Sequence, residues 1–196
     1  MPTFDPRIYT AWFKGNKTIN QGKKMEKLIN KVSKFVGRGR MFKFLFNISP
    51  MYRRTGGRLL EVSEDLKCVR LKLPLNYRTK NYVGTIYGGH MYSCVDGIYM
   101  VQLINILGKN FVVWDKSASI RFRRPGNKTL FAEFNITDQL LEKIRREIDQ
   151  HQEKDFTLHV NLTDKEGVIY AEVEKLIYIA SKEFYQKKRN LSQKEK

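Results

Sequence analysis

A chain of 196 residues that is 41% hydrophobic can bury a core of its own, and its two cysteines, Cys68 and Cys94, offer neither a disulfide framework nor zinc-ligand spacing. The net charge of +17 sits in the flanks: residues 1–58 hold net +12 and residues 182–196 net +4, against net +1 for residues 59–181. That distribution excludes a basic nucleic-acid surface spread over the centre of the chain, and no apolar run reaches the ~18 residues of a membrane span.

The N-terminal MPTFDPRIYTAWF lacks the basic start and long apolar centre of a secretory signal, so the cytoplasm is the expected compartment. Residues 1–20 show no period and read as an extended arm. From residue 21 to 36, Met25, Leu28, Ile29, Val32, Phe35 and Val36 recur at helical spacing, with lysines over much of the remaining surface. Three readings of this basic helix stay open: packing on the domain, contact with an anionic membrane surface or coenzyme A phosphates, and nucleic acid. The last is the weakest, because no recognised nucleic-acid module accompanies the basic residues. Met41 to Phe46 is a second apolar piece, after the break at Gly37-Arg38-Gly39.

A hairpin is predicted next, from Arg58 to Ser63 and from Leu66 to Leu73, with Val69, Leu71 and Leu73 alternating with Cys68, Arg70 and Lys72. Pro74 to Ile86 reads as a loop. Gly88 to Leu107 reads as one helix, apolar almost all round after Asp96 and therefore buried on most sides, with Gly108 as its C-terminal cap. Strands are predicted over 111–124 and 128–137, then a polar helix over 138–151 with the stripe Leu140, Leu141, Ile144 and Ile148. Two alternating strands, 156–163 and 168–181, close the domain. One buried helix and about six hairpin-connected strands define an α+β layout, an antiparallel sheet wrapped around the helix.

Within that layout, Gly88, Gly89 and Asp96 form the chemically pointed constellation. Adjacent glycines at a helix start let a ligand approach the backbone, where the first N–H groups lack acceptors and the dipole favours negative charge. Such a place can hold the oxyanion of acyl transfer. Asp96 lies seven residues beyond Gly89; on a continuous helix that is about 700° of rotation and ~10 Å of rise, which puts both on one face. A carboxylate on a buried helix has its pKa pushed upward, as suits a general base, or it can act as a nucleophile. The alternative is a buried aspartate that hydrogen-bonds a neighbouring loop, and composition does not separate the two.

Asn81-x-x-Gly84-x-x-Tyr87-Gly88-Gly89 followed by Asp96 resembles the signature of the hotdog-fold acyl-CoA thioesterases of the phenylacetate-pathway (PaaI-like) branch. Ile120-Arg121-Phe122-Arg123-Arg124-Pro125-Gly126 is similar to the arginine-proline segment of that family's following strand. Gly84-Thr85-x-Tyr87-Gly88-Gly89 with Trp114-x-Lys116 most resembles a thioesterase-like hotdog subgroup known as a domain of unknown function. The resemblance covers roughly residues 47–181, leaving residues 1–46 as a basic helical extension and residues 182–196 as a basic flexible tail.

It implies that the Gly88 and Gly89 N–H groups polarise a thioester carbonyl, that Asp96 is base or nucleophile, and that Asn81 positions substrate or water. It implies coenzyme A only as part of the substrate, no other cofactor and no metal, and a homodimer or dimer of dimers with the site between subunits. Tyr87 stands where the signature has histidine, which removes a near-neutral acid–base group. His90 is three positions from that place and reads as a helix-start hydrogen-bonding residue; with Thr85 and Tyr87 it is a candidate for substrate contact. Ser117, Ser119 and Arg121 share one strand face and are candidates for substrate or phosphate contact. A non-catalytic acyl- or lipid-binding hotdog protein is the competing reading, and a binder of anionic surfaces or nucleic acid through the basic flanks is a third.

Overall fold

The computed structural model describes residues 36–194. In chain order, α1 (Arg38–Ile48) and α2 (Pro50–Arg54) precede β1 (Arg58–Val62) and β2 (Cys68–Leu73). Then come α3 (Gly88–Ser93), α4 (Ile98–Leu107), β3 (Phe111–Phe122), β4 (Leu130–Asn135), α5 (Asp138–His151), β5 (Glu153–Thr163), β6 (Ile169–Ser181) and α6 (Lys182–Lys194). The strands form one sheet in the order β1-β2-β4-β5-β6-β3, with every pair antiparallel. Alternation decides which face is buried. Val69, Leu71 and Leu73 of β2, Leu130, Ala132 and Phe134 of β4, and Phe156, Leu158, Val160 and Leu162 of β5 all point to one core. Burying a side chain of this size contributes about 1.5–3 kcal/mol. Ile98, Val101 and Leu103 of α4 fill the concave side of the sheet.

β4 and β5 share a single register pair, Phe131 with Thr163, so the sheet is joined thinly there and can bend around α4. Its two edges differ. At β1, the Asn47 side chain accepts from the Leu59 N–H (2.9 Å) and donates to the Leu59 carbonyl (3.0 Å), satisfying edge groups that would otherwise seek another strand. β3 pairs only with β6 and carries no such cover among the described residues; Trp114 and Phe122 are exposed along it.

Two expectations are corrected. The helix expected from Gly88 to Leu107 is two helices, parted at Cys94–Gly97, where Gly97 takes φ 74°. Residues 38–46 are not an extension: Met41, Phe42, Leu45 and Phe46 join the same core as the sheet. Gly39 lets α1 close on β1, since a Cβ there would lie 2.4 Å from the Val62 carbonyl oxygen, and the Glu64 carboxylate accepts the Arg38 and Gly39 N–H groups at the start of α1 (2.6 and 3.2 Å). The tail is helical over Lys182–Lys194 as α6, with Lys188 on Glu153 (2.8 Å) and the Tyr185 ring against Tyr178 (centroids 6.4 Å). The basic helix expected from residue 21 lies outside the described residues save its last residue. No helix among the described residues is long and apolar enough to cross a membrane.

Candidate active site

The loop before α3 is built on Asn81. Its Oδ1 accepts from the Val83 and Thr85 N–H groups (3.1 and 3.0 Å), and its Nδ2 donates to Thr85 Oγ1 (3.0 Å). This Asx-type closure, with Gly84 at φ 87°, fixes a tight turn. Both ends of the Asn81 amide are thus engaged within residues 81–85. Ile86 N–H donates to the Gly126 carbonyl (2.8 Å) and Tyr87 N–H to the Thr79 carbonyl (2.8 Å), which aims the chain into α3.

Neither Gly88 nor Gly89 has a positive φ. Both let a ring lie close to the backbone: a Cβ on Gly88 would lie 2.8 Å from the Phe122 ring, and one on Gly89 would lie 2.3 Å from the Tyr87 ring. The pair brings two aromatic rings down onto the helix start. Gly88 and Thr85 line a groove of about 450 Å³ with Phe122 and Arg123 to Gly126. Gly89 lines a different groove of about 430 Å³, together with Tyr87, His90, Ser93 and Asp96, faced by Met51, Arg54 and Thr55. Gly89 and Asp96 therefore meet in one groove, although the unbroken helix that argued for it is absent.

The carboxylate of Asp96 stands at the break between α3 and α4. It is half-exposed rather than buried, and it is paired. Lys175 Nζ lies 2.5 Å from Asp96 Oδ1, and Tyr92 donates its hydroxyl to the same oxygen at 3.2 Å. Lys175 also lies 3.4 Å from Asp115 Oδ2. Burial opposes the charge on Lys175, but the Asp96 hydrogen bond and the charges of Asp115 and Asp96 outweigh it and hold the ammonium pKa above the usual lysine range. Burial likewise raises the Asp115 carboxyl, a shift that Lys175 opposes and Asp96 reinforces. Tyr92 is raised by burial and by the Asp96 charge, which leaves its hydroxyl a donor. Lys175 is not among the candidate residues read from the sequence. The signal was there: Lys175 takes an inward position between Val173 and Ile177, where alternation calls for an apolar residue.

His90 Nδ1 donates to the Thr55 carbonyl at 2.9 Å, as expected of a helix-start hydrogen-bonding residue, and its ring meets Tyr87 edge-on with centroids 5.9 Å apart. Tyr87 is largely exposed over the groove. Ser117, Ser119 and Arg121 are not brought to this place. They pair with Leu176, Glu174 and Glu172 of β6, the outward positions, whereas Lys175 and Val173 face inward. Ser119 and Arg121 line a separate depression with His159, Asn161 and Glu172 on the outer face of the sheet.

A bent antiparallel sheet wrapped on a buried helix, with a loop and glycine pair leading into that helix, defines a hotdog-fold protein of α+β class. The chain belongs to the family of the domain of unknown function DUF4442, whose model matches residues 37–179. No curated protein sequence matches it. Among solved structures it is similar to a protein of unknown function from Pseudomonas aeruginosa, a probable thioesterase, at TM-score 0.64 and 21% identity over 72% of this chain and 95% of that one. A protein of unknown function from Chlorobaculum tepidum TLS matches at TM-score 0.57 and 12% identity over 78% and 96% of the two chains. A thioesterase from Haemophilus influenzae matches at TM-score 0.53 and 12% identity over 72% and 90%. At these identities the likeness establishes the fold.

Proposed function

We propose that this chain hydrolyses an acyl thioester, with acyl-CoA as the substrate class. The observation that carries the reading is the meeting of Gly89 and Asp96 in one groove. The carbonyl oxygen of the thioester sits at the N–H groups of the Gly88–Gly89 helix start, which stabilise it as it becomes an oxyanion. Asp96 acts as base, taking a proton from the attacking water, or as nucleophile, forming an acyl-aspartyl anhydride that water then opens; in both routes the thiolate leaves and is protonated. Lys175 and Tyr92 orient the carboxylate.

The reading extends to assembly and location. The open edge of β3 suits a second copy of the chain, giving a homodimer or dimer of dimers with the site near the subunit boundary. Both cysteines are free, in keeping with a reducing cytoplasm.

A second reading, an acyl- or lipid-binding protein without turnover, is favoured by Tyr87: its ring lies over Gly89, where the oxyanion site needs room. A thiol-release screen over short-, medium-, long-chain and aryl acyl-CoAs separates the two. Hydrolysis that falls at least ~100-fold in Asp96→Asn, with circular dichroism unchanged, supports the enzyme. Binding without release in either protein supports the second reading, and equal rates in both remove Asp96 from the mechanism.

A further inference from the structure

Beside the groove of Asp96 lies a cavity of about 360 Å³ lined by Pro50, Arg53, Arg54, Gly56, Arg78 and His90. Arg54 and His90 line both spaces, so the two adjoin. Three arginines and no acidic residue line the cavity. Among the described residues none of the three forms an ion pair, whereas Arg70 is matched by Glu61 and Glu133, and Arg123 by Glu172. Three cations held together without a counter-charge repel one another, and an arrangement of this kind is relieved by a bound anion.

Two separate elements deliver these arginines. Arg53 and Arg54 end α2, while Arg78 rides on the loop before α3. That loop is anchored by buried Thr79, whose Oγ1 donates to the Pro74 carbonyl (2.6 Å) and accepts the Asn76 N–H (3.0 Å). The two elements touch at Gly56, with φ 79°, where a Cβ would lie 2.5 Å from Thr79 Cγ2. Arg78 is fixed by Tyr77, accepting its Nε–H at 2.7 Å. His90 commits Nδ1 to the Thr55 carbonyl, which leaves Nε2 for the cavity. Guanidinium forks match phosphate oxygens bidentately, and several of them suit a group bearing more than one negative charge.

We infer that this cavity binds the phosphate end of the thioester's carrier, so that Arg53, Arg54 and Arg78 select a phosphopantetheine-bearing thiol over a plain one. The ligand's name rests on the thioester reading; the anion site rests on the arginines. The shared chemistry is a phosphate ester, supplied either by the nucleotide of coenzyme A or by the phosphodiester of a carrier-protein arm.

The test uses the full chain and isothermal titration with coenzyme A, 3′-dephospho-coenzyme A, 4′-phosphopantetheine and pantetheine. Coenzyme A is expected to bind at least tenfold more weakly to Arg53→Ala/Arg78→Ala, a loss of about 1.4 kcal/mol. Arg53→Lys/Arg78→Lys is expected to fall between that variant and the parent, while pantetheine binds all three alike. Tight binding of phosphopantetheine assigns the 4′-phosphate, the group that a carrier-protein arm also bears; a loss on removing the 3′-phosphate assigns the nucleotide. Both retain the site.

If the parent releases thiol from acyl-CoA while the double alanine variant keeps its KM and its coenzyme A affinity, the cavity assignment is overturned and the thioesterase reading stands. If no thioester is hydrolysed yet coenzyme A binding depends on the arginines, the anion site stands and the thioesterase reading falls. Unchanged thermal midpoints show that the exposed substitutions leave the fold intact.

Discussion

Lys175 Nζ lies 2.5 Å from Asp96 Oδ1 while its own side chain is 2% exposed, so the charge that orients the candidate catalytic carboxylate comes from inside the sheet. A buried ammonium is tolerated only when paired, and Lys175 has two carboxylates in reach, Asp96 and, at 3.4 Å, Asp115. Lys175→Ala removes the cation from between them and leaves a cavity. Stability is expected to drop by about 3 kcal/mol, the low end for a broken buried pair because Asp96 is half-exposed. Lys175→Met refills the volume and is expected to lose less. Denaturant unfolding at neutral pH checks both, and an alanine variant as stable as the parent would remove the pair from the account.

Asp115 gives a pH signature of opposite sign to most carboxylates. Burial raises its folded pKa above the ordinary 3.8, against the pull of Lys175. Between 3.8 and that folded value the native state holds a proton that the unfolded chain has released, so the contribution of Asp115 falls as pH rises. Lys175 stays charged throughout, its pKa lying above 10.5. Asp115→Asn cannot titrate there. The midpoint of the variant relative to the parent is expected to improve from below pH 3.8 to neutral pH. A constant difference across paired thermal melts contradicts this.

Gly97 carries the break between α3 and α4. Its φ of 74° lies in the left-handed region, and a Cβ there meets nothing within 4 Å. The cost of Gly97→Ala is therefore conformational alone, about 1 kcal/mol, and Gly97→Asn is expected to cost less. No loss in the alanine variant would mean that the segment straightens without penalty.

That break shows what the sequence conveyed and what it withheld. Alternation and turn residues placed six strands and the order of elements, because side chains facing one core leave a period. That Gly89 and Asp96 share one side of the chain and that His90 hydrogen-bonds near the helix start were also readable. The interruption at Asp96-Gly97 was not, although Asp-Gly is a turn signal: the apolar run on its C-terminal side gave a helical period that says nothing of one φ angle. Asp115 reaches Lys175 through a bulge in β3 between Asp115 and Ser117, and no residue pattern announces it. The partnership of Arg53 and Arg54 with Arg78 depends on loops meeting in space, which spacing along a chain cannot supply.

Gly89→Ala tests whether the glycine pair serves chemistry or only packing. The added Cβ would lie 2.3 Å from Tyr87 Cε1, but the Tyr87 ring is 57% exposed and can swing outward. Replacing glycine by alanine in a helix gains about 0.5–1 kcal/mol, which offsets the lost contact between Tyr87 and His90. The thermal midpoint is thus expected to stay within a few degrees of the parent. Thiol release, which needs an open face at Gly89, is expected to fall, and Tyr87→Ala in the same chain is expected to restore part of it by clearing the ring from the groove. A midpoint that collapses in Gly89→Ala and returns with Tyr87→Ala would make the glycine a packing residue. Release that falls and does not return points instead to the Cβ itself blocking the Gly89 N–H.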